Sequence, residues 1–210
     1  MTKDRNALGM PAPARGRPCP TRRRLAAALP ALALCGTLRA APAADEVSVR
    51  AQRRDRLVVL DIEATVAAPP DIVWAVLTDY DHMAGYMSAV KSSAVTRRDG
   101  ERLEVAQSIE ARVGPFRFSS SSVRAVELTP QREIRSTLVS GDFDTFVGTT
   151  RLVERGAVTA IVNHSEYAPK AWIPPLIGTG AIESETRKQY QQLLAEMVRR
   201  TAQRAAPAAR

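Results

Sequence analysis

The chain has 210 residues, 45% of them hydrophobic and 25% charged, which is enough for one soluble domain with a sizeable core. Its formal charge of +8 is unevenly placed: residues 1–44 hold 8 basic and 1 acidic side chains, leaving 22 and 21 for the rest. A body so close to neutral lacks the basic surface that nucleic acid requires. With both cysteines (Cys19, Cys35) in the leader and only His82 and His164 as histidines, it also lacks a thiolate nucleophile and the donor set of a zinc site.

Residues 1–20 are rich in Pro, Gly, Ala and Arg and show no apolar period, so they read as disordered. Arg22, Arg23 and Arg24 then precede an Ala- and Leu-rich run too short to span a bilayer, and Ala41-Pro42-Ala43 supplies the small-x-small pattern of a signal-peptidase site. Residues 1–43 are therefore expected to be a disordered start plus a cleavable export signal, with the mature chain beginning near Ala44 in a bacterial periplasm or outside the cell. The arginine cluster resembles the twin-arginine type of signal. Leu34 is too large for the position before a lipidated Cys35.

In the body, Val47, Val49 and Ala51 alternate with polar residues before a glycine-free turn at 53–56. Val58, Leu60, Ile62, Ala64 and Val66 then alternate cleanly, predicting a half-buried strand over 57–66. Pro69-Pro70 switches it into a short helix from Asp71 with Ile72, Val73, Val76 and Leu77 on one stripe, and Asp81 is placed to cap a second short turn over 82–87. Six further strands follow in meander order over 90–97, 102–113, 116–128, 133–139, 143–153 and 157–167, the first pair joined by Asp99-Gly100. The four-serine run at 119–122 is polar on both faces. After the stiff stretch 169–175 the period changes to that of a long amphipathic helix over about 180–204, with Ile182, Thr186, Tyr190, Leu193, Leu194, Met197 and Val198 on one face, and residues 205–210 read as a frayed tail.

This order of strand, two short helices, six strands and one long helix resembles the START-like or SRPBCC superfamily. The stretch 67–80 (AAPPDIVWAVLTDY), Gly141-Asp142-Phe143 with Gly148, and Trp172-Ile173-Pro174-Pro175 bring it closest to the polyketide cyclase/dehydrase and coenzyme-Q-binding branch. The resemblance implies an α+β helix-grip fold over residues 44–204. A curved seven-stranded antiparallel sheet would wrap the long C-terminal helix, with an apolar tunnel between them for a lipid, quinone, sterol or polyketide. Asp81 to Met87 lacks the proline that family members often carry after the Asp-Tyr pair, which leaves ligand size open.

Enzyme and cofactor motifs are mostly missing: there is no nucleophile elbow, no phosphate-binding loop and no His-Glu-x-x-His, and Gly178-Thr179-Gly180 lacks a third glycine. No cofactor or metal is expected. His164 shares a strand face with Val158, Ala160 and Val162; if that face lines the tunnel, burial lowers its pKa and a neutral imidazole is a weak candidate for a catalytic base, though a core or rim histidine is the plainer reading. Gln107, between Val105 and Ile109, is a second polar anchor on the same terms. Asp142 and Asp144 read as a solvated pair and His82 as a surface histidine. Trp74, Tyr80, Tyr86, Phe143, Phe146 and Trp172 suit a pocket wall or lid, and half of them belong to a plain core. The primary expectation is an exported carrier of a hydrophobic small molecule, with transient membrane contact compatible with it. A cyclase or aromatase-like enzyme using His164, and a protein- or membrane-docking module, are the alternatives.

Overall fold

Two strands precede the first helix where the sequence suggests one. In the computed structural model, which describes residues 46–113, 115–171 and 177–206, β1 (Glu46–Arg54) and β2 (Leu57–Val66) form an antiparallel hairpin. The turn has no glycine, but Asp55 takes a positive φ of 54°, which aspartate tolerates better than most residues, and so closes a two-residue connection. The expected seven-stranded sheet is thus corrected to eight strands among the described residues. The export leader at 1–43 and the Trp172 segment lie outside the described residues.

At the end of β2 the two prolines act as the sequence suggests. Pro69 is extended, with φ −64° and ψ 147°, and its carbonyl accepts from the amides of Ile72 and Val73, while Pro70 occupies the first position of α1 (Pro70–Leu77). The Thr159 hydroxyl donates to the Ala68 carbonyl at 2.7 Å in a buried bond that pins this hinge to the sheet. A 3₁₀ turn over Tyr80–Gly85 follows. Asp81 does not cap it: its carboxylate instead accepts the Val95 amide at 2.7 Å, tying the turn to the next strand.

The meander then runs through β3 (Val90–Asp99), β4 (Arg102–Val113), β5 (Phe116–Thr129), β6 (Glu133–Gly141), β7 (Phe143–Arg155) and β8 (Val158–Pro169), and ends in α2 (Thr179–Ala205). Every pairing is antiparallel, in the order β1-β2-β8-β7-β6-β5-β4-β3. Helix α2 makes its main contacts with β1, β2, β4 and α1. Since β1 and β4 stand at opposite sides of that order, one helix can touch both only if the sheet curls around it.

Three separate apolar clusters hold this arrangement. One joins Leu193, Leu194 and Met197 of α2 to Val73 and Val76 of α1 and to Ala64, Val66 and Ile161 of the sheet. A second joins Tyr80 and Met83 to Val90, Leu103, Val105, Val126 and Ile134. The third packs Ile177 and Ile182 on Val49, Val58, Leu60 and Ile62. Each fully buried aliphatic side chain contributes about 1.5–3 kcal/mol. Val198, expected on the buried stripe of α2, is instead exposed.

Gly141 ends β6 with a φ of +128°, and a Cβ there would meet the Ser121 carbonyl oxygen at 2.3 Å. Gly141→Ala should destabilise the protein by about 2–3 kcal/mol or prevent folding, measured by urea unfolding, whereas alanine at Gly156, with only open space around it, should cost about 1 kcal/mol.

Candidate functional site

Strand alternation decides which side chains face α2. Val58, Leu60, Ile62, Ala64 and Val66 of β2 sit opposite Tyr167, Ser165, Asn163, Ile161 and Thr159 of β8, so these β8 residues point inward. The same parity carried across the sheet puts Phe146, Gly148, Thr150 and Leu152 of β7, Ile134, Ser136 and Leu138 of β6, and Ser122, Arg124, Val126 and Leu128 of β5 on the interior face. The polar members of this set belong to none of the three clusters. Tyr190 of α2 packs against the first and third of those clusters.

Tyr190, Tyr167 and Arg124 are deep in the fold yet each keeps accessible surface, as side chains lining an interior hollow do. Burial pushes the Tyr190 hydroxyl well up and the Tyr167 hydroxyl up to about 12. The Tyr80 hydroxyl is also raised by burial, against the opposing charge of Arg124. None of these three hydroxyls has a hydrogen-bond partner among the described residues. Gly148 faces the same space between Phe146 and Ser165; a Cβ there would make only ordinary contacts at 3.5 Å, so the missing side chain widens the hollow and relieves no clash.

Arg124 is the group that sequence reasoning missed. Its Nη2 donates to Gln107 Oε1 at 2.6 Å, its guanidinium carbon lies 5.2 Å from the centre of the Phe146 ring, and its Nε is buried with no partner. Burial lowers its pKa and the neighbouring Tyr80 opposes this, but a guanidinium stays charged at neutral pH. No carboxylate among the described residues pairs with it. The signal was in the sequence: the interior positions of β5 read Phe118, Ser120, Ser122, Arg124, Val126, Leu128, with three polar residues where a core-facing strand should stay apolar.

The other expected residues divide sharply. Gln107 lies inside, with its amide donating towards Ser93 Oγ and Met83 Sδ, both at 3.3 Å, so Arg124 and Gln107 orient each other. Phe143, Phe146 and Tyr167 form an edge-to-face aromatic group on the interior side. Tyr80 is buried beside Arg124, and Trp74 packs half-buried on the same cluster as Tyr80. Tyr86 is not a wall residue: its hydroxyl donates to the Val76 carbonyl at 3.0 Å and its ring lies under Arg200, between α1 and α2. Trp172 falls outside the described residues.

His164 is on the outer face of the sheet, because the inward positions of β8 are the odd-numbered ones. Its ring is about half exposed and pairs with Asp61 at 2.7 Å and Glu166 at 3.4 Å. The bond to Asp61 raises its pKa, against burial and with help from Glu166, where a tunnel position would have lowered it. Asp142 accepts the Ser121 amide and Asp144 pairs with Arg56, so they do not act together. No cluster of His, Cys, Asp or Glu among the described residues could hold a metal ion. A shallow cleft of about 290 Å³ lies beside the Pro69-Pro70 hinge, lined mainly by small side chains such as Ala68, Gly156 and Ala157, with Glu154 as its one charged group.

Residues 58–202 match the family model described as polyketide cyclase / dehydrase and lipid transport. No curated protein matches the chain. Among solved structures, TTHA0849 from Thermus thermophilus is 21% identical with a TM-score of 0.57, covering 70% of this chain and 99% of its own. The Zhui aromatase/cyclase from Streptomyces sp. R1128 is 17% identical with a TM-score of 0.57, covering 73% and 98%. A START superfamily protein from Mycobacterium smegmatis is 16% identical with a TM-score of 0.53, covering 69% and 97%. These likenesses establish the α+β helix-grip fold.

An ionic clamp ties the later turns of α2 to the segment after α1. Arg200 bridges Asp79, at 2.6 Å, and Glu196, at 2.7 Å; Arg199 also binds Glu196, and His82 binds Asp79. The bond from Arg199 holds the Glu196 carboxyl down to about 2 against the effect of burial, with Arg200 adding to it. Burial raises the Asp79 carboxyl, but bonds from His82 and Arg200 outweigh it and leave it lowered. Both carboxyls are depressed in the folded state, so their stabilisation is complete above about pH 5 and is lost as pH falls towards about 2. Urea midpoints should drop across that window in the native protein, and Glu196→Gln should lower the midpoint at pH 7 while flattening the drop.

Proposed function

The chain belongs to the polyketide cyclase / dehydrase and lipid transport family, and on that premise we propose that it is an exported carrier that holds a hydrophobic small molecule between its sheet and α2. The observation that carries this reading is the interior face of the sheet beneath α2, where the half-buried rings of Phe143, Phe146 and Tyr167 stand together and the hydroxyls of Tyr80, Tyr167 and Tyr190 are engaged by no group among the described residues. Apolar walls with a few placed polar groups are what a small-molecule site needs. Affinity comes mainly from buried area, at about 25 cal/mol per Å² of ligand surface removed from water. A lipid, a quinone or a sterol-like body would each fit that description.

The cyclase alternative rested on His164 as a base. With that imidazole on the outer face, half exposed and ion-paired, it cannot reach a substrate held in the hollow. Carriage without covalent change therefore accounts for more of what is present. Export is read from the arginine cluster, apolar run and Ala41-Pro42-Ala43 of the leader, and delivery to or from a membrane surface would follow from a lipid-like cargo.

The protein purified from a bacterial host should release a hydrophobic compound on solvent extraction, detected by mass spectrometry, and should bind a neutral apolar dye; an empty extract with no dye binding would sink the carrier reading. Gly148→Leu, which fills the hollow from an interior backbone position of ordinary φ, should fold normally by circular dichroism yet bind the dye at least about tenfold more weakly. Expressed with its leader, the chain should appear in the periplasmic fraction with an amino terminus near Ala44 by terminal sequencing. A full-length chain confined to the cytoplasm would refute export.

A further inference from the structure

The polar groups of the hollow share one chemical character. Arg124 offers donors and no acceptor, and one of its nitrogens, Nε, is buried without a partner. Gln107 accepts from it but carries no charge, and the Phe146 face 5.2 Å away supplies only a quadrupole. The hydroxyls of Tyr80, Tyr167 and Tyr190, unpartnered among the described residues, are further donors. Asn163 donates to Thr150 at 2.8 Å, so that polar pair is already satisfied. What is left unmatched is one positive charge and a set of O–H and N–H groups in a place removed from bulk water.

Resting on the carrier reading, we infer that the ligand is an amphipathic monoanion: an apolar chain or ring system ending in a carboxylate that pairs with Arg124. A carboxylate is acceptor-only and binds a guanidinium through parallel charge-assisted hydrogen bonds. Charge balance favours it over a phosphate monoester. No second Lys or Arg faces inward from β4, β6, β7 or β8, so beside Gln107 and Phe146 these strands add no further positive charge to that of Arg124. The ≈ −1.5 to −2 of a phosphate monoester would bring excess charge into a low-dielectric site. A neutral lipid would leave the guanidinium buried and uncompensated. The body of the ligand lies against the aromatic rings of Phe143, Phe146 and Tyr167, and its head points towards Gln107.

The test is displacement of Nile red, a neutral dye, at pH 7.5 by two acid and ester pairs, hexadecanoic acid with its methyl ester and lithocholic acid with its methyl ester, and by hexadecyl phosphate. In at least one pair the acid should displace the dye at about a tenfold lower concentration than the ester, the ratio expected for a charge-assisted bond gained at one site. Arg124→Met should abolish that preference, acid and ester then displacing the dye at concentrations within about twofold of each other. Arg124→Lys, which keeps the charge without the planar fork, should keep part of it and serves if the methionine variant does not fold. Equal potency of acid and ester in both pairs would overturn carboxylate recognition while leaving the carrier reading intact. A phosphate that outcompetes both acids would overturn the monoanion argument. No Nile red binding at all would overturn the carrier reading and this inference with it.

Discussion

One helix has to serve both an edge and a face of the same sheet, and the rest of the fold follows from how it does so. Along the free edge of β1, Glu183 accepts the Ala51 amide at 2.9 Å and Arg187 donates to the Val47 carbonyl at 3.3 Å, so α2 occupies hydrogen-bonding groups that an open edge would present to other chains. Farther along, Leu193, Leu194 and Met197 press onto α1 and β2. A helix fixed at one edge and also touching β4 near the other forces the central strands to arch away from it. The space proposed for a ligand would thus be a product of curvature, lined by whatever the interior positions of β5 to β8 carry.

Those parts of the fold that depend on periodicity were legible in the sequence. The alternation of β2, the proline hinge, the six-strand meander and the apolar stripe of α2 each repeat one physical rule over many residues, and the structure follows them to within a residue or two. What escaped were features fixed by a single residue or by pairing. The β1–β2 hairpin depends on Asp55 adopting a glycine-like φ. His164 could not be assigned to a face because residues 158–162 are apolar on both sides, with Val158, Ala160 and Val162 alternating with Ile161 and the buried Thr159; only the register with β2 decides which set points inward. Tyr86 has the size and character of a pocket residue, but its hydroxyl is taken by the Val76 carbonyl, a contact between residues ten apart that no strand or helix period encodes.

The candidate site shows the same division. Aromatic residues expected at a pocket, Phe143, Phe146 and Tyr80, do lie on the interior side, because bulky apolar groups on an inward strand position have nowhere else to go. The polar centre was overlooked because the serine run beside it reads as surface. Ser119 and Ser121 do fall on the outer face, while Ser120 and Ser122 fall inside with Arg124, so one run of identical residues is divided between solvent and interior.

The treatment of arginine across the chain bears on what that centre is for. Several exposed arginines are paired: Arg56 with Asp144, Arg155 with Glu63, Arg204 with Asp71, and both Arg135 and Arg151 with Glu133. Pairs of that kind contribute at most about 1 kcal/mol each, because water already solvates both partners. Arg200, which is partly enclosed, has two carboxylates. Arg124, whose Nε is buried, has none among the described residues, although an acidic neighbour would stabilise it more than it does an exposed arginine. Left alone, an uncompensated guanidinium lowers stability by several kcal/mol, a cost that would select against it in a merely structural interior. On the proposed reading that cost is offset when an anionic ligand supplies the missing charge, so the chain would be more stable loaded than empty, and the group that weakens the empty protein would discriminate among ligands.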